Sequence, residues 1–450
     1  MFGKSFLALR ATSICSIVLG TALHAGAQAP WPSEVQKHLD AATKIANGDK
    51  FLIDKFRVSS CFEVEDPAWR QWARAQAATR VPLTQLFDNV WYIGDRFVGQ
   101  YIYKTADGGF MLIDTLNNSA DVEQYTLPAF KTLGINQQSF RGVILTHGHF
   151  DHDGGAVRLR SEFGSSFPIY LGSGDAAGKT YLPTAIDSTN ADPQKLTIGG
   201  TEFTVQSTAG HTPGSIVGLV PVTKEGKKYS LLLNWRAGIP ATAAGSKLYL
   251  TGTERAFRLA LDSGAEGVIH THPISDVTLA ALDNPSLFII GNEKTVKAAA
   301  ISRECSAARA AQLDATAQFS TWRSTSLAMQ TPAGGTSFSA RLQNEAGPMA
   351  GYPVRFRVEG KDGVCSASTD SSGIATCDLP AVESRSIVTA KFEGREVGTT
   401  YEMPSRASGE APEFSSGGCT IGNGRFDPLL VGMAFFAGLG MFLRRRGRRV

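Results

Sequence analysis

Histidine is scarce in this chain, eight in 450 residues, and cysteine is scarcer still at six. Charged side chains make up only 19%, and neither sign dominates. The formal net charge is +3, but Lys4, Arg10 and the five terminal arginines supply seven cations, and without them the remainder carries −4. A basic face is thereby excluded, and no nucleic-acid partner is expected. The histidines are not spread evenly. His147, His149 and His152 fall within six residues, with Asp151 among them, in His147-Gly148-His149-Phe150-Asp151-His152-Asp153-Gly154-Gly155.

The apolar run 142–146 ahead of that cluster reads as a buried strand, which puts the polar residues on the loop at its C-terminal end. The Asp-Gly-Gly that follows allows a tight turn into a helix from about Ala156. Imidazole nitrogens and carboxylate oxygens are the donors a zinc ion accepts, at about 2.0–2.2 Å. The arrangement recurs. An alternating strand at 201–207 runs to Ala209-Gly210-His211-Thr212-Pro213-Gly214-Ser215, and a strand at 267–269 runs to His270-Thr271-His272-Pro273. Histidines on successive strand ends are how a sheet protein assembles a site. His270 is expected beside that site, and Asp114, at the end of the neighbouring strand, is expected to steady a ligating histidine. His38 reads as a surface residue.

At this length two or three units are expected. Residues 1–27 read as a secretory signal peptide: Lys4 and Arg10, an apolar stretch, then Ala25-Gly26-Ala27. Residues 426–450 read as a short transmembrane helix with an arginine tail. Gly417, Gly418 and Cys419 ahead of it resemble the glycine-cysteine, helix and arginine sorting signals of Gram-negative exported proteins. That resemblance implies a sorting protease, anchoring through Cys419, and a place in the periplasm or at the cell surface. In an oxidising compartment Cys61 with Cys305, and Cys365 with Cys377, are the natural disulfides, although spacing does not fix connectivity.

Taken in order, 30–85 reads as mixed helix, including 67–79, and a sheet starts at 87–94. Strands 101–103 and 110–115 follow, then a crossover helix at 123–133 that delivers the chain to the metal-loop strand. This is an α/β unit with its site at the strands' C-terminal ends. Strands 216–222 and 229–233, a helix at 253–261 and an alanine-rich helix at 294–317 complete a domain over 30–320. Short alternating strands at 338–342, 353–358, 373–377 and 387–392 then read as an immunoglobulin-like β-sandwich over 327–403. Residues 369–375 resemble the turn motif of bacterial immunoglobulin-like repeats. A polar linker covers 404–424.

The His-x-His-x-Asp-His pattern, with His211 and His272 downstream, resembles the signature of the metallo-β-lactamase superfamily over about residues 86–315. The resemblance implies an αββα sandwich and two zinc ions, with His147, His149 and His211 on the first and Asp151, His152 and His272 on the second. Thioester hydrolases and lactonases of that superfamily carry a bridging aspartate after the strand that follows His211, and one β-lactamase branch carries a cysteine. Here that strand runs into Leu233-Asn234-Trp235-Arg236-Ala237-Gly238. The set is similar to the third, all-histidine-and-aspartate subclass of β-lactamases, although the serine-bearing loop usual there is missing. That likeness implies a zinc-dependent hydrolase opening a β-lactam amide of a small-molecule substrate, with Asp151 catalytic as well as ligating. Trp235, Arg236, Lys179 and Tyr181 are expected to line its cleft, Arg236 attracting a carboxylate. An exported metal-dependent esterase or lactonase is the competing enzyme reading, and a non-enzymatic cell-surface binding protein is the other.

Overall fold

The computed structural model describes residues 30–330, 336–379 and 382–411. They divide into two compact units, one of the described residues up to Thr325 with Glu393–Ser405, the other of those in Ser326–Phe392 with those from Arg406 onward. Two sheets form the centre of the first unit. One has seven strands in chain order, from Arg80–Phe87 to Thr184–Ile186, antiparallel up to Phe110–Ile113 and parallel from there through Phe140–Ile144 and Ile169–Gly172. The other has five, ordered Gly267–Ile269, Lys227–Leu233, Ile216–Lys224, Thr201–Ser207 and Gln194–Ile198.

Alternation along the strands explains the layering. In Gly99–Lys104, Tyr101 and Tyr103 face the core between the sheets and Ile102 faces the opposite side. In Lys227–Leu233, Leu231 and Leu233 face the same inter-sheet core while Leu232 packs outward. These central strands therefore bury both faces, and helices must cover the outer ones. The helical run 119–133 and Ala156–Phe163 cover the first sheet. Ser33–Ala46, Val58–Glu65, Ala243–Ser263 and Asn292–Leu313 cover the second. The result is an αββα sandwich. Fully buried side chains such as Ile102, Leu112 and Val143 each contribute on the order of 1.5–3 kcal/mol.

Some elements differ from expectation for local reasons. The helix expected at 253–261 begins at Ala243, because Thr242 caps it by accepting from the Gly245 N–H (3.1 Å). Gly264, at φ +69°, ends it. His38 is not on the surface: it is fully buried, with Nδ1 2.6 Å from Glu304 Oε2 on the helix Asn292–Leu313. Cys61 is bonded to Cys305 in that helix.

The second unit is β-rich. One sheet contains Thr325–Gln330, Ser337–Asn344, Gly347–Pro348 and Ile374–Asp378; the other contains Cys365–Ser368, Pro353–Val358, Ile387–Phe392 and Ser405–Glu410. Phe338, Ala340 and Leu342 meet Val354, Phe356, Ala390 and Phe392 in one core, and Cys365–Cys377 joins the sheets. This establishes two sheets around a core without specifically establishing the immunoglobulin arrangement, so that expectation is withdrawn. The linker expected from 404 opens with the strand Ser405–Glu410, which pairs with Ile387–Phe392. The three-stranded sheet of Thr321–Arg323, Thr400–Glu402 and Arg395–Val397 falls in the first unit.

The membrane association is also withdrawn. Among the described residues no helix is long and apolar enough to cross a membrane. The expected span at 426–450, the sorting residues Gly417, Gly418 and Cys419, and the leader at 1–27 all lie outside the described residues. The periplasmic or cell-surface location that rested on them goes with it.

Candidate metal centre

The histidine loops converge where the strands end. His147, His149 and His211 form one group of donors, and His147, Asp151 and His152 another, with the donor atoms in each within 4.8 Å of one another. His272 lies against the second group: its Nε2 is 3.0 Å from His152 Nε2 and 3.3 Å from Asp151 Oδ2.

The rings are held in one orientation by their outer nitrogens. His152 Nδ1–H donates to Asp114 Oδ2 (2.6 Å), His211 Nδ1–H to the Gly238 carbonyl (2.8 Å), and His272 Nδ1–H to the Phe97 carbonyl (2.7 Å). Their Nε2 lone pairs are left facing the centre. Two such lone pairs only 3.0 Å apart, as in His152 and His272, repel unless a proton or a cation sits between them. Nitrogen donors with one carboxylate suit a borderline-soft divalent ion, so the residues fit the metal that the motif implies.

Asp114 does more than hold one ring. Fully buried, with φ +60°, it also accepts from Thr146 N–H (2.7 Å) and Thr146 Oγ1 (2.8 Å), fastening the start of the metal loop. His270 is not a ligand: Nε2–H donates to the Arg236 carbonyl (2.7 Å) and Nδ1 accepts from the His272 N–H (2.9 Å), so both nitrogens are used in fixing the turn. Asn234, at φ +47°, turns its amide onto Thr271, donating to Oγ1 and accepting from the N–H, both at 2.9 Å.

Charge follows from burial and neighbours. Burial pushes His147 well below its ordinary value and takes His211 down to about 4, so both are neutral at pH 7. Burial also lowers His149. Burial works against a charged His152 as well, but the Asp114 carboxylate overrides it and the ring's value rises. For Asp151 burial is outweighed by the His272 hydrogen bond and the charge of His152, which hold the carboxyl well below the usual range.

The expected cleft residues divide. Arg236 lines a cavity of about 190 Å³ over the histidines. Trp235 does not, because its indole is buried and Nε1–H donates to Asp276 Oδ2 (2.8 Å). Lys179 and Tyr181 are also absent from that lining. Lys179 Nζ bonds the Gly148 carbonyl (2.7 Å) and Asp153 (2.5 Å), and the Tyr181 hydroxyl donates to Asp153 (2.9 Å), so both brace the metal loop.

Asp175 escaped sequence reasoning. Its Oδ2 accepts from the Gly148 N–H (2.7 Å) and the Thr212 hydroxyl (2.6 Å), and Oδ1 from the Gly214 N–H (2.9 Å), tying the His149 loop to the His211 loop. A Cβ on Gly148 or Gly214 would fall 2.7 Å or 2.6 Å from its side chain, which is why both positions are glycine. Those two glycines beside ligating histidines were the available signal.

Residues 93–223 match the model of the metallo-beta-lactamase superfamily. A hydroxyacylglutathione hydrolase of Acidiphilium cryptum is 32% identical over 178 residues, 38% of this chain and 60% of the relative. One from Yersinia pestis is 37% identical over 89 residues, 20% of this chain and 33% of the relative. The chain thus spans less than two thirds of either relative's length. Among solved structures, BJP-1, a subclass B3 metallo-beta-lactamase of Bradyrhizobium japonicum, aligns over 51% of this chain and 94% of its own at 22% identity and TM-score 0.40. The metallo-beta-lactamase SMB-1 aligns over 52% and 98% at 17% identity and TM-score 0.43. Likenesses this weak carry no argument about subclass. With curated relatives named as hydroxyacylglutathione hydrolases, the expected membership of the third β-lactamase subclass is overturned. The first unit is an αββα sandwich whose residues 93–223 are similar to the metallo-beta-lactamase superfamily, with two groups of His and Asp donors able to coordinate metal at its strand ends.

Proposed function

We propose that the first unit is a metal-dependent hydrolase acting on the carbonyl of an ester-type small molecule: ester, thioester or lactone. The observation that carries the reading is the inward convergence of Nε2 lone pairs beside the Asp151 carboxylate. The similarity to hydroxyacylglutathione hydrolases supports the ester-type side. His147, His149 and His211 would hold one ion, and Asp151, His152 and His272 the other. When bound, such ions supply a Lewis acid for a carbonyl oxygen and lower the pKa of water toward neutrality.

The chain's own residues do the rest. Asp151 stays ionised through neutral pH and stands at the cavity wall, where its carboxylate orients a water. Asp114 and the carbonyls of Gly238 and Phe97 keep the rings from turning, and Asp175 ties their loops together, so the site is formed before substrate arrives. The absence of an aspartate at Asn234 leaves the glutathione thioester itself without special support.

The test is zinc content of the full chain together with turnover of aryl esters, thioesters, lactones and β-lactams, with and without chelator. Chelator-sensitive ester or thioester turnover, lost in Asp151→Ala, is the expected result. Turnover confined to β-lactams, or stoichiometric metal with no hydrolysis of the ester-type panel, would overturn the reading.

A further inference from the structure

We propose that the helical stretch 58–75 forms the substrate-selecting wall of the cleft, and that it selects an acyl compound whose flat apolar body ends in a carboxylate. The reaction itself rests on the hydrolase reading above; recognition is what is added. The 190 Å³ cavity has the histidines on one side and the helices Val58–Glu65 and Trp69–Ala75 on the other. Phe62 and Trp69, both lining it, stack at 4.3 Å between ring centroids with 29° between planes. Phe62 is buried beneath the stack, so the partly exposed Trp69 ring is the flat shelf offered to an aromatic or broad apolar group.

The wall is registered to the floor. Arg70 Nη2 is 2.9 Å from Glu63 Oε1, and the same oxygen accepts the Ile239 N–H at 3.0 Å. The neighbouring Gly238 carbonyl is the one that orients His211. Arg70 is thus occupied. Arg74, one helical turn further, lines the cavity, is exposed, and has no hydrogen-bond or ion-pair partner among the described residues. Deeper in the same cavity, Arg236 is 5% exposed, bonds the Ser275 carbonyl from Nη1 (2.7 Å), and has its charge offset by the neighbouring acids Glu63 and Asp276.

The unpaired Arg74 guanidinium, reached across an aromatic shelf, selects an anion with planar oxygen acceptors. The body length between carbonyl and carboxylate is limited by the cavity. An acyl chain alone satisfies the shelf and leaves Arg74 unpaired; a compact anion leaves the shelf bare. A carboxylate-ended arylalkyl compound satisfies both.

The experiment is calorimetric titration of the full chain with phenylbutyrate and with its neutral counterpart phenylbutanol, zinc-loaded and again after chelation. Arg74→Glu, on an exposed position, is expected to weaken phenylbutyrate by about tenfold or more in both metal states and to leave phenylbutanol unchanged. Trp69→Ala is expected to weaken both ligands by a similar factor. Equal losses for the two ligands in Arg74→Glu, no loss for either, or no binding of phenylbutyrate to the unaltered chain would overturn the proposal. Arg74-dependent, anion-selective binding in a chain that hydrolyses none of the esters would sink the reaction and leave the recognition standing.

Discussion

The floor of the cleft is tied down by two carboxylates, Asp114 buried and Asp175 half-buried, whereas its helical wall is tied by aromatic stacking and a disulfide. Asp114 and Asp175 each make three hydrogen bonds of 2.6–2.9 Å into the histidine loops. The wall has the Phe62–Trp69 stack, the half-exposed Arg70–Glu63 pair and Cys61–Cys305. Directional bonds hold donor atoms to the tolerance that metal ligation needs. Apolar packing holds a surface, which is all that substrate selection needs, and it can change without disturbing the ligands.

The most severe way to break that contrast is His147→Ala, since His147 belongs to both donor groups. Metal content should collapse by more than the ~10–100-fold typical of an outer partner, as read by atomic emission. Next, Asp114→Ala and Asp175→Ala should each weaken metal binding by about 10–100-fold with the fold retained, while wall variants leave it untouched. If Asp175→Ala binds zinc normally, the floor is not held as described. Removing the Cys61–Cys305 bond by a double serine substitution should cost about 2–4 kcal/mol in denaturant unfolding without changing metal affinity. A loss of metal there would merge wall and floor. Tyr181→Phe deletes one hydrogen bond to Asp153, about 0.5–1.5 kcal/mol of stability, and should not alter KM; a KM change would return Tyr181 to the cleft.

The smallest effect concerns protons. His211 has its value lowered by burial to about 4, so its neutrality contributes stability that is fully present above the ordinary value and lost as pH falls through about 4. In chelator-treated protein, histidine NMR should show no titration of this ring near pH 6.5. A midpoint there would mean that the floor opens to solvent without metal.

The cluster of candidate donors was legible because its chemistry is local: four of the six expected donors lie in a six-residue loop after an apolar run, and the other two follow strands of their own. Asp114 was legible for the same reason, as an acid at a strand end. Trp235 was misread because a strand end can turn its next residue toward the cleft or into the core, and Asp276, 41 residues away, decides which. Lys179 and Tyr181 were misread because their partner is a loop acid rather than open space. Nothing in residues 62–74 announces a substrate wall, since their role appears only when helices from the chain's start pack beside the strand ends.

By itself the sequence determined the donor types, the alternation that buries both faces of each sheet, and hence a layered α/β unit with its site at the strand ends. These depend on periodicity and on neighbours a few residues apart. Tertiary structure alone decided which nitrogen of each ring faces the centre, which acid braces which loop, and which distant helices close the cleft. Those outcomes depend on contacts between residues as far apart as Glu63 and Ile239, whose meeting no local pattern encodes.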